Sequence, residues 1–441
     1  MAAERGGGGE RRHRRLRGGE RRQLAILGLP TFAMALAITA ISTYLPVVAQ
    51  RFTSSTLVIG LLIAGEGLMA LWIPVLAGSW SDRVETSAGH RLPFVLVGTP
   101  LMIIALLAVG VSGSLVPMAI AVSVFFAGYF IAYEPYRALY PDLVDDRIAG
   151  RAQSNQAAWR GAGTVVALVS GGTLLGIATP LPFAAAAALL VLGVGAFAWL
   201  RLREIEGGRK RRDLDGVRAT FAKVVRLVRS HPALRTYVVA NAMWEMALAA
   251  LKTFIVLYVT VGLGNSLGQS SLIIGGVAVL VLGGALLSGK LADRFGGLRV
   301  MSLALWGYGA ALLLPALTAS PTVLLASVPV IAAGGGMIMG LPYALLMPLM
   351  PRGEHGALTG IYSVSRGIGT MLGPLLAGLA IQLLRPLYSA TAGYGAMWLV
   401  ISASILLSAP VARRLRAQAE DRPRHGRSPD RAAVGRSEAT A

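Results

Sequence analysis

The chain has 441 residues, 55% of them hydrophobic and only 14% charged, against about 25% charged in an ordinary soluble domain. Its 41 Lys and Arg outnumber 21 Asp and Glu, for a formal net charge of +20, which alone would suit a nucleic-acid binder. The basic residues gather instead in the tails and a few loops, and this argues against a basic nucleic-acid face. With no cysteine and five histidines, disulfides and thiolate metal sites are excluded and a zinc site is not expected.

Residues 1–22 are basic and Gly-rich with no apolar stripe, and read as a disordered arm. The run that follows is too long for a signal-peptide core and lacks a convincing cleavage site, so it is the first membrane span. Twelve runs have the length of about 20 apolar residues that a helix needs to cross a bilayer. The first six lie at 24–48, 57–80, 93–112, 115–139, 153–178 and 181–200; the second six lie at 236–262, 270–291, 298–318, 321–349, 356–384 and 389–411. The expected architecture is all-α: a six-helix bundle over 23–200, a basic linker over 201–235, a second bundle over 236–412, and a disordered basic tail over 413–441. Within the linker, Val217–Val228 is amphipathic and basic. It either lies along an anionic leaflet or is solvated.

One set of connections holds Arg83, His90, Arg91, Arg147, Arg151, the linker, Lys290, Arg294, Arg299 and Arg352; the alternate set holds mainly Arg51 and Arg385. The positive-inside rule puts the first set and both termini in the cytoplasm, for a multi-pass protein of the cell (inner) membrane.

The two halves repeat each other. "WRGAGT" from Trp159 returns as "SRGIGT" from Ser365, so Arg160 and Arg366 stand 206 residues apart. "PYRALYP" at Pro135–Pro141 returns as "PYALLMP" at Pro342–Pro348, offset 207, and "GSWSDR" at Gly78–Arg83 returns as "GKLADR" at Gly289–Arg294, offset 211. Ordered matches at a nearly constant offset signal internal duplication, and six-span halves in parallel repeat are a transporter architecture.

The G-x-x-x-D-R elements lie between the second and third spans and again between the eighth and ninth. There the chain resembles the major facilitator superfamily, with Gly78, Asp82, Arg83 and Arg91 in the first copy and Gly289, Asp293 and Arg294 in the second. "GHRLPFVLVGTPL" and "PYRALYPDLVDDRIAGRAQS" resemble the glycoside–pentoside–hexuronide cation symporters and the related sucrose carriers. The resemblance implies secondary transport of a sugar or glycoside by alternating access, coupled to a proton or other cation, by a monomer needing no cofactor. It also implies a gate latch: Asp82 facing Arg137 and the N-terminus of a helix that begins near Gly356, where a carboxylate suits the helix dipole. The plainer reading is a pair of solvated loop charges. The pattern is incomplete, because melibiose-type symporters carry two aspartates where this chain has Ala70 and Pro74, and the sucrose carriers one where it has Phe126; coupling by either arrangement is therefore open, and either Glu66 substitutes or transport is uncoupled.

Arg160 and Arg366 lie eight to ten residues into their spans, about 12–15 Å deep at 1.5 Å per residue. A charge at that depth faces protein or water and marks a pathway, unless it snorkels to the headgroups. Glu66 and Glu245 are the midplane carboxylates. Burial favours the neutral form of a carboxyl, which suits a group that binds and releases a proton; the alternative is structural hydrogen bonding. Lys252, seven residues after Glu245 on a similar face, is a candidate to neutralise it, and Glu134 to partner Arg160. Trp244, Tyr133, Tyr258, Tyr308 and Tyr362 either stack on a sugar or pack. An efflux carrier of small amphipathic compounds is a second reading, although G-x-x-x-G-P falls in the eleventh span at "GTMLGPLLAG", not the fifth. A non-transporting receptor or lipid-handling protein is a third. An enzyme is not expected: no nucleophile with a base and no Walker sequence is evident.

Overall fold

A computed structural model describes residues 18–81, 91–144, 148–201, 217–350 and 358–420. The first half runs α1 (Gly18–Ala49), α2 (Thr56–Ser81), α3 (Leu92–Val111), α4 (Leu115–Leu143), α5 (Ala149–Ile177) and α6 (Leu181–Arg201). A linker helix α7 (Val217–Ser230) follows, then α8 (Pro232–Leu257), α9 (Leu267–Phe295), α10 (Gly297–Leu317), α11 (Pro321–Gly340), short α12 (Pro342–Leu346), α13 (Leu358–Leu383) and α14 (Met397–Glu420). Twelve of the described helices are long and apolar enough to cross a membrane. In hydrocarbon every backbone group must be bonded within its own segment, and a helix does that. The chain is a multi-pass membrane protein. An even number of crossings brings the start of α1 and the end of α14 to one side of the bundle, the terminal side; the other is the far side.

The breaks between helices have local causes. Ser266 and Gln269 form a reciprocal capping box at the start of α9, the Ser266 Oγ accepting from the Gln269 amide at 3.3 Å. Between α9 and α10 the chain reverses at Gly296, whose φ of +86° is a conformation that a side chain disfavours.

The duplication is visible in the packing. In the first half α1 packs on α5 and α6, α3 on α4 and α6, and α2 on α4. In the second half α8 packs on α13 and α14, α10 on α11 and α14, and α9 on α11. The same graph results when α1–α6 are replaced in order by α8, α9, α10, α11, α13 and α14. Across the seam α2 meets α13, α5 meets α9 and α1 meets α8; exchanging the halves converts the first contact into the second and the third into itself, as a pseudo-twofold axis requires. The copies differ at one point: α4 continues through "PYRALYP" to Leu143, whereas α11 stops at Gly340 before α12 and a 3₁₀ turn at Met347–Leu349. Tyr237 of α8 donates to the Pro342 carbonyl at 2.9 Å there.

Two expected boundaries move, and the linker helix is placed. α1 begins at Gly18, inside the arm expected to be disordered, because Leu24 and Leu27 are buried and the Gln23 amide donates to the Leu143 carbonyl at the end of α4. α14 runs to Glu420, inside the expected tail, because Leu415 is fully buried and Arg413 lies over the Trp306 ring at 5.3 Å. Within the linker, α7 neither floats free nor turns its apolar face to lipid. Val224 and Leu227 are buried, and the helix packs on α2, α8 and α13, touching both halves.

On the far side hydrogen bonds cross the seam. Thr56 Oγ1 donates to the Gly378 carbonyl at 2.7 Å, and Ser55 to Gln382 at 2.9 Å. Ser271 of α9 takes the Gly172 amide at 2.8 Å and meets the Tyr44 hydroxyl at 2.8 Å. The helix crossings are close because small residues stand at them.

Candidate functional site

Arg366 is the centre of the site. It lies two turns into α13 and reaches across the seam to Glu66 of α2, Nη2 to Oε1 at 3.9 Å. In its own half its Nε reaches Glu245 Oε2 of α8, also at 3.9 Å. Each carboxylate has a second partner: Ser42 of α1 donates to Glu66 Oε2 at 3.0 Å, and Tyr362, one turn before Arg366, donates to Glu245 Oε1 at 3.3 Å. Glu66 is buried, while Glu245 and Arg366 keep 16% and 19% of their side-chain surface accessible. Burial strengthens such pairs and also makes removal of one partner costly.

Arg160, the repeat partner of Arg366, stands differently. Its guanidinium lies over the Tyr133 ring at 5.2 Å from the centroid. Tyr133 is stacked in turn on Tyr129, rings 5.1 Å apart and 11° from parallel. Arg160 is surrounded by protein, within electrostatic reach of Tyr129, Tyr133, Tyr362 and Arg366, and is nevertheless partly accessible. The expected Glu134 partner goes elsewhere: Glu134 pairs with Arg137 at 4.0 Å, one turn along α4. The reason is helical geometry, since residues three apart share a face. Lys252 does not neutralise Glu245, whose described partners are Arg366 and Tyr362.

Of the gate candidates, Asp82, Arg83 and the start of the helix near Gly356 lie outside the described residues. Gly78 falls near the end of α2. Arg137 lies over the Tyr343 ring of α12 at 5.6 Å, a contact across the seam on the terminal side. Arg91 donates to the Ala138 carbonyl, tying the start of α3 to α4. In the second copy Gly289 has no neighbour within 4 Å of where a Cβ would be, Asp293 is exposed, and Arg294 lies over Phe295.

Tyr133 and Tyr362 are the aromatic candidates that join the site. Trp244 is buried with its indole donating to Ser408 at 3.0 Å, Tyr258 packs edge-on against Trp398, and Tyr308 is buried against Gly334; all three are packing. Ser42 and Tyr129 escaped the sequence reading. Tyr129 was recoverable, because it precedes Tyr133 by one helical turn; Ser42, within "AISTYLP", carried only the weak signal of a polar residue in a span.

Two pseudo-symmetric six-helix halves with charged groups at the seam are a membrane-transporter architecture. The Major Facilitator Superfamily model matches residues 27–282 and 246–438, and the chain belongs to that superfamily. No curated relative matches. Among solved structures, the chain is similar to a bacterial homolog of the human lysosomal transporter Spinster in its inward-facing, unoccupied conformation, with TM-score 0.73 and 16% identity over 92% of this chain and 98% of that one. It is similar to the nucleoside transporter NupG, TM-score 0.67 and 16% identity over 90% and 98%, and to the peptide transporter POT in complex with sulfate, TM-score 0.67 and 14% identity over 92% and 97%. At these identities the likeness speaks for the fold alone.

Proposed function

We propose that the chain is a proton-coupled secondary transporter that carries a small polar solute, of the sugar or glycoside class, across the cell membrane by alternating access. The observation that carries the reading is the Glu66–Arg366–Glu245 triad, in which one cation holds a carboxylate from each half. The superfamily scaffold supplies the rocking halves. The sugar class rests on the sequence resemblance, and the hydroxyls of Ser42 and Tyr362 at the triad suit a polyol. The cytoplasmic placement of both termini rests on the basic terminal-side loops.

In this mechanism a proton on Glu66 removes its attraction to Arg366 and loosens the tie between the halves on that side. Arg366 then leans on Glu245, and the halves rock about the α1–α8 contact. Release of the proton on the other side restores the tie. The groups facing Glu66 are Ser42 and Arg366; those facing Glu245 are Arg366 and Tyr362.

The test is uptake of a sugar panel into proteoliposomes with and without a pH gradient. Wild-type protein should accumulate its solute when the gradient is present. Glu66→Gln should lose gradient-driven accumulation and keep solute exchange. A Glu66→Gln variant that accumulates as well as wild type removes Glu66 from the coupling, and a wild type indifferent to every sugar rejects the sugar class.

A further inference from the structure

The α5–α9 and α2–α13 crossings are copies of one another, so a residue at one has a counterpart at the other. A Cβ at Gly172 would run into the Leu267 carbonyl, and one at Gly378 into the Thr56 carbonyl; Gly163 is pressed on Ala35 as Gly369 is on Glu245. Carried along the helices, these matched contacts set Phe254 opposite Tyr44 and Gly60 opposite Ser271. The counterparts carry no hydroxyl. Gly60 lies directly on the Pro374 carbonyl, and that crossing takes its hydrogen bond from Thr56 instead. The architecture therefore does not demand the hydroxyls of Tyr44 and Ser271.

Those hydroxyls form an ordered chain. The Gly172 amide donates to Ser271 Oγ at 2.8 Å, the Tyr44 hydroxyl donates to the Leu168 carbonyl at 2.7 Å, and the two hydroxyls meet at 2.8 Å. A hydroxyl has one proton to give. Tyr44 gives its own to Leu168, so Ser271 donates to Tyr44. Leu168 and Gly172 are four apart on α5, which makes the two ends of the chain the acceptor and donor of one ordinary helical bond. Two glycines admit the intruders: a Cβ at Gly171 would strike the Tyr44 ring, and one at Gly172 the Ser271 hydroxyl.

Resting on the alternating-access reading above, we propose that Ser271 and Tyr44 are a releasable latch across the far-side seam, with the α5 backbone as its exchange partner. Ser271 belongs to the second half; Tyr44, Leu168 and Gly172 belong to the first. When the halves part, the Gly172 amide turns to the Leu168 carbonyl, whose two lone pairs hold it together with Tyr44. Ser271 turns to the carbonyl one turn back on its own helix, as Ser270 does to Ser266 at 2.8 Å. No buried backbone group is stranded, so release avoids the full desolvation penalty of an unmade bond. The link is also neutral, and so is independent of the proton that acts on Glu66.

The experiment uses the full chain in sealed proteoliposomes with a single Ser55→Cys reporter, labelled from the far side by a membrane-impermeant maleimide. Ser55 lies at the other crossing, so a change there means that the halves have parted and not that the latch has loosened locally. No solute is needed. Loss of one such hydrogen bond changes an equilibrium by about 2- to 12-fold, so Ser271→Ala should raise the labelling rate at least twofold. Tyr44→Phe should raise it less, because the Gly172–Ser271 bond survives. The double variant should match Ser271→Ala, because each bond of the chain that crosses the seam passes through Ser271. Should Ser271→Ala fail to melt cooperatively, Ser271→Gly takes its place, since the counterpart position already holds Gly60. A wild-type labelling rate in a folded Ser271 variant overturns the latch. So does a double variant whose rise is the product of the two single rises. Neither result touches the carrier reading, which is judged separately by solute exchange.

Discussion

A Gly378→Val substitution probes the gating directly, because Gly378 sits at the far-side seam, well away from the charged triad. A Cβ at 378 would stand 3.0 Å from the Thr56 carbonyl carbon and 3.2 Å from Leu57 Cα, where ordinary contact begins at 3.4 Å, and nearer still to the Thr56 oxygen. Both obstacles are backbone of α2, so neither can swing aside; α13 must retreat, and the 2.7 Å bond from Thr56 to the Gly378 carbonyl stretches with it. Overpacking of this kind costs about 1–3 kcal/mol. In a carrier with two accessible arrangements the cost falls on the one with the far side shut, so the ratio moves by about 5- to 150-fold toward the opposite arrangement. The chain has no cysteine, so a single Ser55→Cys reporter beside the seam is free of background. Its rate of labelling by a membrane-impermeant maleimide, applied from the far side, should rise by at least fivefold when Gly378→Val is added. An unchanged rate in a variant that still melts cooperatively would refute the assignment of the α2–α13 crossing as a closed gate.

Ser42→Ala leaves Glu66 with Arg366 but without its hydroxyl partner, and loss of one hydrogen bond to a charged group is worth about 1.5–3 kcal/mol. The pH at which half-maximal transport occurs should therefore move, while Ser42→Thr should keep it; identical pH profiles for wild type and Ser42→Ala would remove Ser42 from the site. Leu415→Ala should lower stability by about 2–5 kcal/mol, the usual cost of truncating a buried leucine, read as a drop in melting temperature. A neutral result there would return residues 413–420 to the mobile tail that the composition suggests.

Much of this protein is legible in one dimension. Membrane spans announce themselves, because crossing hydrocarbon demands a local run of apolar residues and a helix that satisfies its own backbone; all twelve expected spans are helices, although α1 starts at Gly18, α11 stops at Gly340 and α14 is displaced to Met397–Glu420. The duplication is equally local, since "WRGAGT" and "SRGIGT" can be aligned with no knowledge of where either sits. Depth follows too: a residue's count from the span end places Arg160, Arg366, Glu66 and Glu245 far from either surface before any packing is known.

Pairing is what the tertiary structure decided. Arg160 and Arg366 are equivalent by sequence, yet one lies on a tyrosine and the other joins two carboxylates, one of them 300 residues away. Glu134 finds Arg137 on its own helix, and Lys252 leaves Glu245 to a different helix. Helical periodicity tells which residues share a face, but which neighbour that face meets depends on the rotation and crossing of helices that are remote in sequence. An electrostatic contact falls off over a few ångströms, so the partner is settled only once the two bundles have packed.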